Sequence, residues 1–191
     1  MTKTAAAVAA AALWTFVAAA PARAQLFVSP FAAVDVGADA GCLNLLVCAN
    51  RYLNAGAAAG RLGGTYGAEE EVSYARDFFG NGPNLSSSML TVMSNAIILR
   101  QFGRWHPYAE GGVGVMRTYV KFTDASYYAT NRVSAAWDAG GGVATYVSER
   151  FGVRADARYF RSFKDVRLSG FSVSDDKMGF GRLSAGLVVR F

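Results

Sequence analysis

Charged residues recur at alternate positions within stretches of small or apolar residues. They are Glu69 and Glu71, then Glu110, Asp138, Arg154 with Asp156 and Arg158, and Arg182 with Arg190. Alternation puts each set on one face of an extended strand. If those faces meet in a common interior, two kinds of chemistry are open to them. Opposite charges confined in a narrow space pair with one another, because an isolated buried charge is very costly; the product is a salt-bridged plug. A looser set would line a path for ions, as charge rings do in pores. A narrow interior favours pairing.

The other chemistry-bearing residues are few. His106 is the single histidine and is followed by Pro107-Tyr108. Hydrolysis by a serine–histidine–carboxylate set needs a base within hydrogen-bond reach of its nucleophile, and no serine flanks His106. The glycines at 111, 112 and 114, and at 140 to 142, lie inside apolar stretches. A nucleotide-binding loop needs a strand, a tight turn and a helix start, so these glycines read as room for bulky neighbours. Cys42 and Cys48 lie in a Gly/Asn-rich segment with no histidine or third cysteine beside them. In an exported chain such a pair is expected to form a disulfide, with two free thiols as the alternative. Their spacing is not a metal motif, and no cofactor is expected.

The elements that position the charges read as strands. The clearest is the last, Lys177 to Phe191: Leu183, Ala185, Leu187, Val189 and Phe191 point one way, and Arg182, Ser184, Gly186, Val188 and Arg190 the other. Earlier strands are expected over 26–36, 54–62, 66–75, 89–99, 105–119, 133–147 and 151–163. On the first, Phe31 and Asp35 share a face opposite Val28, Ala32, Val34 and Val36; on the third, Glu69, Glu71 and Ser73 share one. Glu70 breaks the apolar side of that strand and is expected near the turn, at an interface. The connections alternate short and long. Gly63-Gly64, 100–104 and Ser148-Glu149-Arg150 are tight, whereas 37–53, 76–88, 120–132 and 164–176 are long. Aromatics fall into two groups. Tyr74, Phe78, Tyr119, Phe122, Tyr159 and Phe163 lie toward the long loops; Phe102, Trp105, Phe151 and Phe191 lie toward the tight turns.

Residues 1–24 read as a secretory signal peptide: Lys3, an Ala-rich apolar run, then Ala22-Arg23-Ala24, with cleavage before Gln25. Residues 25–191 then form one domain. Without Lys3 and Arg23, 17 basic residues stand against 14 acidic ones, a net charge of +3 that gives no argument for nucleic acid. Hydrophobic residues make up 52% of the chain, yet after the leader no run approaches a membrane helix. Apolar content spread over alternate positions suits a membrane-spanning β-barrel. The fold class is therefore all-β: an eight-stranded antiparallel up-and-down transmembrane barrel.

The strand opening Arg104-Trp105-His106-Pro107-Tyr108, the Trp137-Asp138-Ala139-Gly140-Gly141-Gly142 strand and the terminal Val188-Val189-Arg190-Phe191 carry a resemblance. The chain resembles small eight-stranded outer-membrane barrels of the OmpA/OmpX-like superfamily. The resemblance implies a location in the bacterial outer membrane, and it makes Leu187, Val189 and Phe191 the signal read by the barrel-assembly machinery. It departs from the OmpA type in carrying no wall-binding domain after the barrel. Some barrels of this size modify lipid A using a His-x-Ser pair at the outer rim; His106 is expected at the opposite rim, so no enzyme is expected. The implied function is structural or at the surface, with envelope integrity and loop-mediated adhesion as its content. Outer-rim Arg and Lys suit lipopolysaccharide phosphates, and the surface partner is open. The 37–53 loop, with Leu43, Leu45, Leu46 and Val47, is the expected partner-binding element. The alternative is a porin-like or OmpW-like barrel passing small or apolar solutes.

Overall fold

The computed structural model describes residues 25–37, 51–79, 85–122, 128–163 and 178–191. They form eight strands: β1 (Gln25–Val36), β2 (Arg51–Gly63), β3 (Tyr66–Arg76), β4 (Leu85–Leu99), β5 (Trp105–Phe122), β6 (Tyr128–Tyr146), β7 (Phe151–Ser162) and β8 (Gly179–Arg190). Each strand pairs antiparallel with the next, and β8 returns to β1, so the sheet closes into a barrel. Closure leaves no sheet edge, and every strand finds ladder partners on both sides. The expected leader and the segment holding Cys42 and Cys48, with its expected disulfide, lie outside the described residues.

The strands are longer than alternation alone predicts. Ladder pairing of β4 with β5 runs out to Leu85–Phe122, and that of β5 with β6 to Phe122–Tyr128, through residues expected to be loop. Ser86-Ser87-Ser88 and Thr130-Asn131-Arg132 lack an apolar alternation, yet the neighbouring strand satisfies their backbone groups. Continued hydrogen bonding extends the hairpins where hydrophobic patterning has ended. At the other end the connections are tight. Gly64 (φ +62°) and Gly103 (φ +60°) take the left-handed conformation that the β2–β3 and β4–β5 turns require.

The two faces are inverted relative to a water-soluble protein. Val72, Tyr74, Ile98, Trp105, Val113, Phe151, Leu183 and Leu187 are exposed outward, while Asp35, Glu69, Glu71, Asp138, Arg158 and Arg182 are buried inside. Two expectations are corrected. Phe78 does not join the outer aromatic group: it is fully buried, with its ring edge-on to Phe79 and Phe180 at 5.1 Å each. The left-handed Asp77 (φ 55°) turns the chain at the end of β3, and Phe78 follows inward over the lumen. Glu70 does not lie near the turn; it is the third of six outward positions on β3, midway between Tyr66 and Tyr74.

Candidate functional site

The interior is filled in three tiers. At the short-turn end, Phe27, Ile97, Leu99 and Val188 pack with Leu62, Tyr108 and Tyr146. At the loop end, Phe78, Met89, Met93, Met116, Phe160, Met178 and Phe180 form a second apolar cluster, with Phe160 and Phe180 stacked at 5.0 Å. Between them lies a charge network.

Three arginines organise that network. Arg154 meets Glu69 at 2.7 Å, Asp156 at 3.3 Å and Glu110 at 3.5 Å. Arg158 meets Asp156 at 3.2 Å, Glu110 at 3.3 Å and Asp138 at 3.5 Å, and it pairs closely with Glu71. Arg182 meets Asp35 at 2.6 Å and Glu71 at 3.2 Å, and donates to Ser73 Oγ at 2.7 Å. Its guanidinium also lies 4.4 Å from the centre of the Phe160 ring, joining the charged tier to the apolar one above. With its amide oriented to place nitrogen toward Asp138, Asn95 bridges the set, donating to Asp138 at 2.9 Å and accepting from Arg158 at 3.2 Å. Local sequence makes room for this: a Cβ at Gly140 would come within 2.6 Å of Arg158 Cγ, and one at Gly142 within 2.7 Å of the Tyr108 hydroxyl. Glycines on β6 therefore admit long side chains from β5 and β7.

The barrel has an interior just wide enough for its own side chains, and here those side chains occupy it. Among the described residues a cavity of about 30 Å³ lies at the short-turn end, beside Tyr108, Tyr146 and Arg190. That is on the order of a water-sized site. Within the described residues the chemistry of the middle tier is that of a compact ion-pair plug.

No family model matches the chain, and no curated protein matches it in sequence. Solved structures do match in shape. Neisserial surface protein A aligns over 88% of this chain and 99% of its own, at 18% identity and a TM-score of 0.66. A major outer membrane protein from Thermus thermophilus aligns over 88% and 100%, at 12% identity and a TM-score of 0.60. The attachment invasion locus protein of Yersinia pestis aligns over 88% and 98%, at 16% identity and a TM-score of 0.53. The fold is that of the small eight-stranded outer-membrane barrels.

Within this outer-membrane barrel fold, the structure brings together Glu69, Glu71, Glu110, Asp138, Arg154, Asp156, Arg158 and Arg182. Arg190 stands apart from that network. It lies at the short-turn end of β8 with its guanidinium 3.3 Å from the centre of the Tyr146 ring, and none of the described ion pairs includes it. It shares the inward face of β8 with Arg182 but not its height. Asp35 is the residue that sequence reasoning left out of the set, although its inward parity with Phe31 was readable; Asn54 donates to it at 2.8 Å. Leu187 and Phe191 are exposed outward, and Val189 shares their face. His106 faces inward at the short-turn rim, its ring edge-on to Tyr146 at 5.0 Å.

Proposed function

We propose that the protein is a non-enzymatic barrel of the bacterial outer membrane with a structural and surface role: a rigid wall that holds its long loops outside the cell. The observation that carries this reading is the packing of the lumen, where among the described residues six carboxylates, three guanidiniums and two apolar clusters argue against a standing pore. A membrane location is supported by the outward face. Exposed Tyr66, Phe102, Trp105 and Phe151 mark the short-turn end, and exposed Tyr74, Tyr159 and Phe163 the loop end, with an apolar band between. An apolar belt of that extent in water would be an aggregation liability. Strand β1 begins at Gln25, the residue before which export cleavage is expected.

The surface role draws on the loop end. Arg76, Arg117, Arg132 and Arg161 are exposed there, where guanidiniums suit the phosphates of lipopolysaccharide or an anionic partner. The Yersinia pestis barrel has also been solved with the heparin analogue sucrose octasulfate, which lends the adhesion reading a precedent of charge. The non-enzymatic reading rests on His106 lying at the short-turn rim, away from outer-leaflet lipid, with its ring against Tyr146.

The test is single-channel conductance of the refolded mature chain in planar bilayers, after a heat-dependent gel shift has shown the barrel folded. Electrical silence is the expected result. Reproducible discrete steps that change when Arg158 and Glu110 are neutralised would replace this reading with the transport one.

A further inference from the structure

The outward positions of β3 run Tyr66, Ala68, Glu70, Val72, Tyr74 and Arg76. Glu70 is four residues, about 13 Å along the strand, from each exposed tyrosine. In a barrel whose apolar band is about 25 Å tall, that is mid-bilayer. This placement rests on the membrane reading above. Ser94, directly opposite on β4, donates to Glu70 Oε2 at 2.6 Å. The other oxygen, Oε1, is buried and has no hydrogen-bond partner among the described residues. An ionisable group facing hydrocarbon with an unmet oxygen is expensive, and such groups mark contacts with something other than lipid tails.

The surroundings say what the contact is. Ala57 and Ala59 on β2, Ala68 on β3 and Ala96 on β4 share the outward face, so a second wall can approach the backbone closely. Arg61 lies on the same patch, opposite Ala68 in the ladder, one outward step below the Ala59–Glu70 row. That step is about 7 Å along the strand, within the span of an arginine side chain that reaches upward along the wall. None of the described ion pairs joins Arg61 to Glu70. The patch therefore carries one charge of each sign, unpaired with each other. A lipid headgroup does not descend to this depth. A second copy of this chain, related by a two-fold axis along the membrane normal, presents the same two charges in reverse order.

We propose that the outward face of β2, β3 and β4 around Glu70 is a homodimer interface, in which Glu70 of each copy meets Arg61 of the partner subunit. The small outward residues set the close approach, and the reciprocal charge pair sets register and orientation.

The experiment uses the full mature chain with Cys42 and Cys48 replaced by serine and Ala57→Cys as the reporter. It is reconstituted in vesicles of phosphatidylcholine and phosphatidylglycerol and treated with an oxidant. A disulfide-linked dimer is expected. Glu70→Leu should lower its yield about tenfold, the change for loss of two symmetry-related contacts worth together about 1.4 kcal/mol. The same substitution leaves the heat-shifted monomer band intact, because it removes a polar group from lipid. Glu70→Arg should abolish the dimer, and adding Arg61→Glu should restore it. A cross-link that is indifferent to Glu70→Leu, or none at all from a verified folded barrel, overturns the proposal and leaves Glu70 to Ser94 alone. A refolded chain that stays dispersed in buffer without detergent or lipid would instead sink the membrane reading on which the depth of Glu70 depends.

Discussion

Asp35 and Arg182 face each other across the seam where the first strand meets the last. The arginine grips the carboxylate with two nitrogens, Nε to Oδ1 at 2.6 Å and Nη2 to Oδ2 at 3.3 Å. A bidentate pair of this kind adds direction as well as energy, and here it spans the one hairpin-less joint in the barrel. The remaining nitrogen, Nη1, reaches Glu71 and Ser73 on β3, so the seam is tied to the wall across the lumen.

Asp35→Ala should therefore weaken barrel closure. Removing one partner of a buried pair strands the other, at a cost of about 3–5 kcal/mol. The expected readout is a lower urea midpoint in micelles, with a heat-dependent gel shift completed at lower temperature. The double variant Asp35→Ala with Arg182→Met should recover much of that loss, since both charges leave together. An unchanged midpoint for the single variant would show that the seam is held by its backbone ladder alone.

Arg158 and Glu110 should behave very differently. Arg158 is the meeting point of Glu71, Glu110, Asp138 and Asp156, so Arg158→Met leaves several carboxylates facing one another and should cost about 3–5 kcal/mol. Neither oxygen of Glu110 has a hydrogen-bond partner among the described residues, and the network holds more carboxylates than guanidiniums. Glu110→Gln should cost no more than about 1 kcal/mol. Equal losses in chemical denaturation would contradict this ranking.

Gly140 tests the packing beneath the network. Its missing Cβ would lie 2.7 Å from Arg158 Cα, a backbone atom that cannot swing aside. Gly140→Ala should destabilise by about 1–3 kcal/mol through overpacking. Gly111→Ala is the control: its nearest atom would be the Asp138 carbonyl oxygen at 3.4 Å, and the midpoint should stay close to that of the parent.

Phe191 should separate assembly from stability. Its side chain is 76% exposed, and its backbone N–H donates to the Leu26 carbonyl at 2.9 Å, a bond that alanine keeps. Phe191→Ala should leave the refolded barrel within about 0.5 kcal/mol of the parent. Recovery of folded barrel from the outer membrane of expressing cells should fall, if the terminal aromatic is read during assembly. A matching loss in the refolded protein would make the residue a structural one.

Much of the architecture was legible because alternation is local. Each strand's period-2 pattern separates an inward set from an outward one, so Glu69 and Glu71, Arg154 to Arg158, and Arg182 declare their face without any knowledge of their neighbours. The alternating short and long connections add strand order. The ends of β4, β5 and β6 were not legible, since the polar residues there are held by cross-strand hydrogen bonds that leave no mark on hydropathy.

The sequence by itself determined the number of strands, their antiparallel order and which side of the wall each charge would take. Tertiary structure decided height and partnership. Arg158 reaches Glu71 across 87 residues of chain, Asp35 joins Arg182 only through closure, and Arg190 is left with Tyr146 although it shares Arg182's face. Phe78 turns into the lumen, and Glu70 comes to rest midway up the outer wall. The reason is geometric. Alternation specifies direction about a strand, whereas position along the barrel axis and proximity across it follow from register and stagger, which exist only once the sheet has closed.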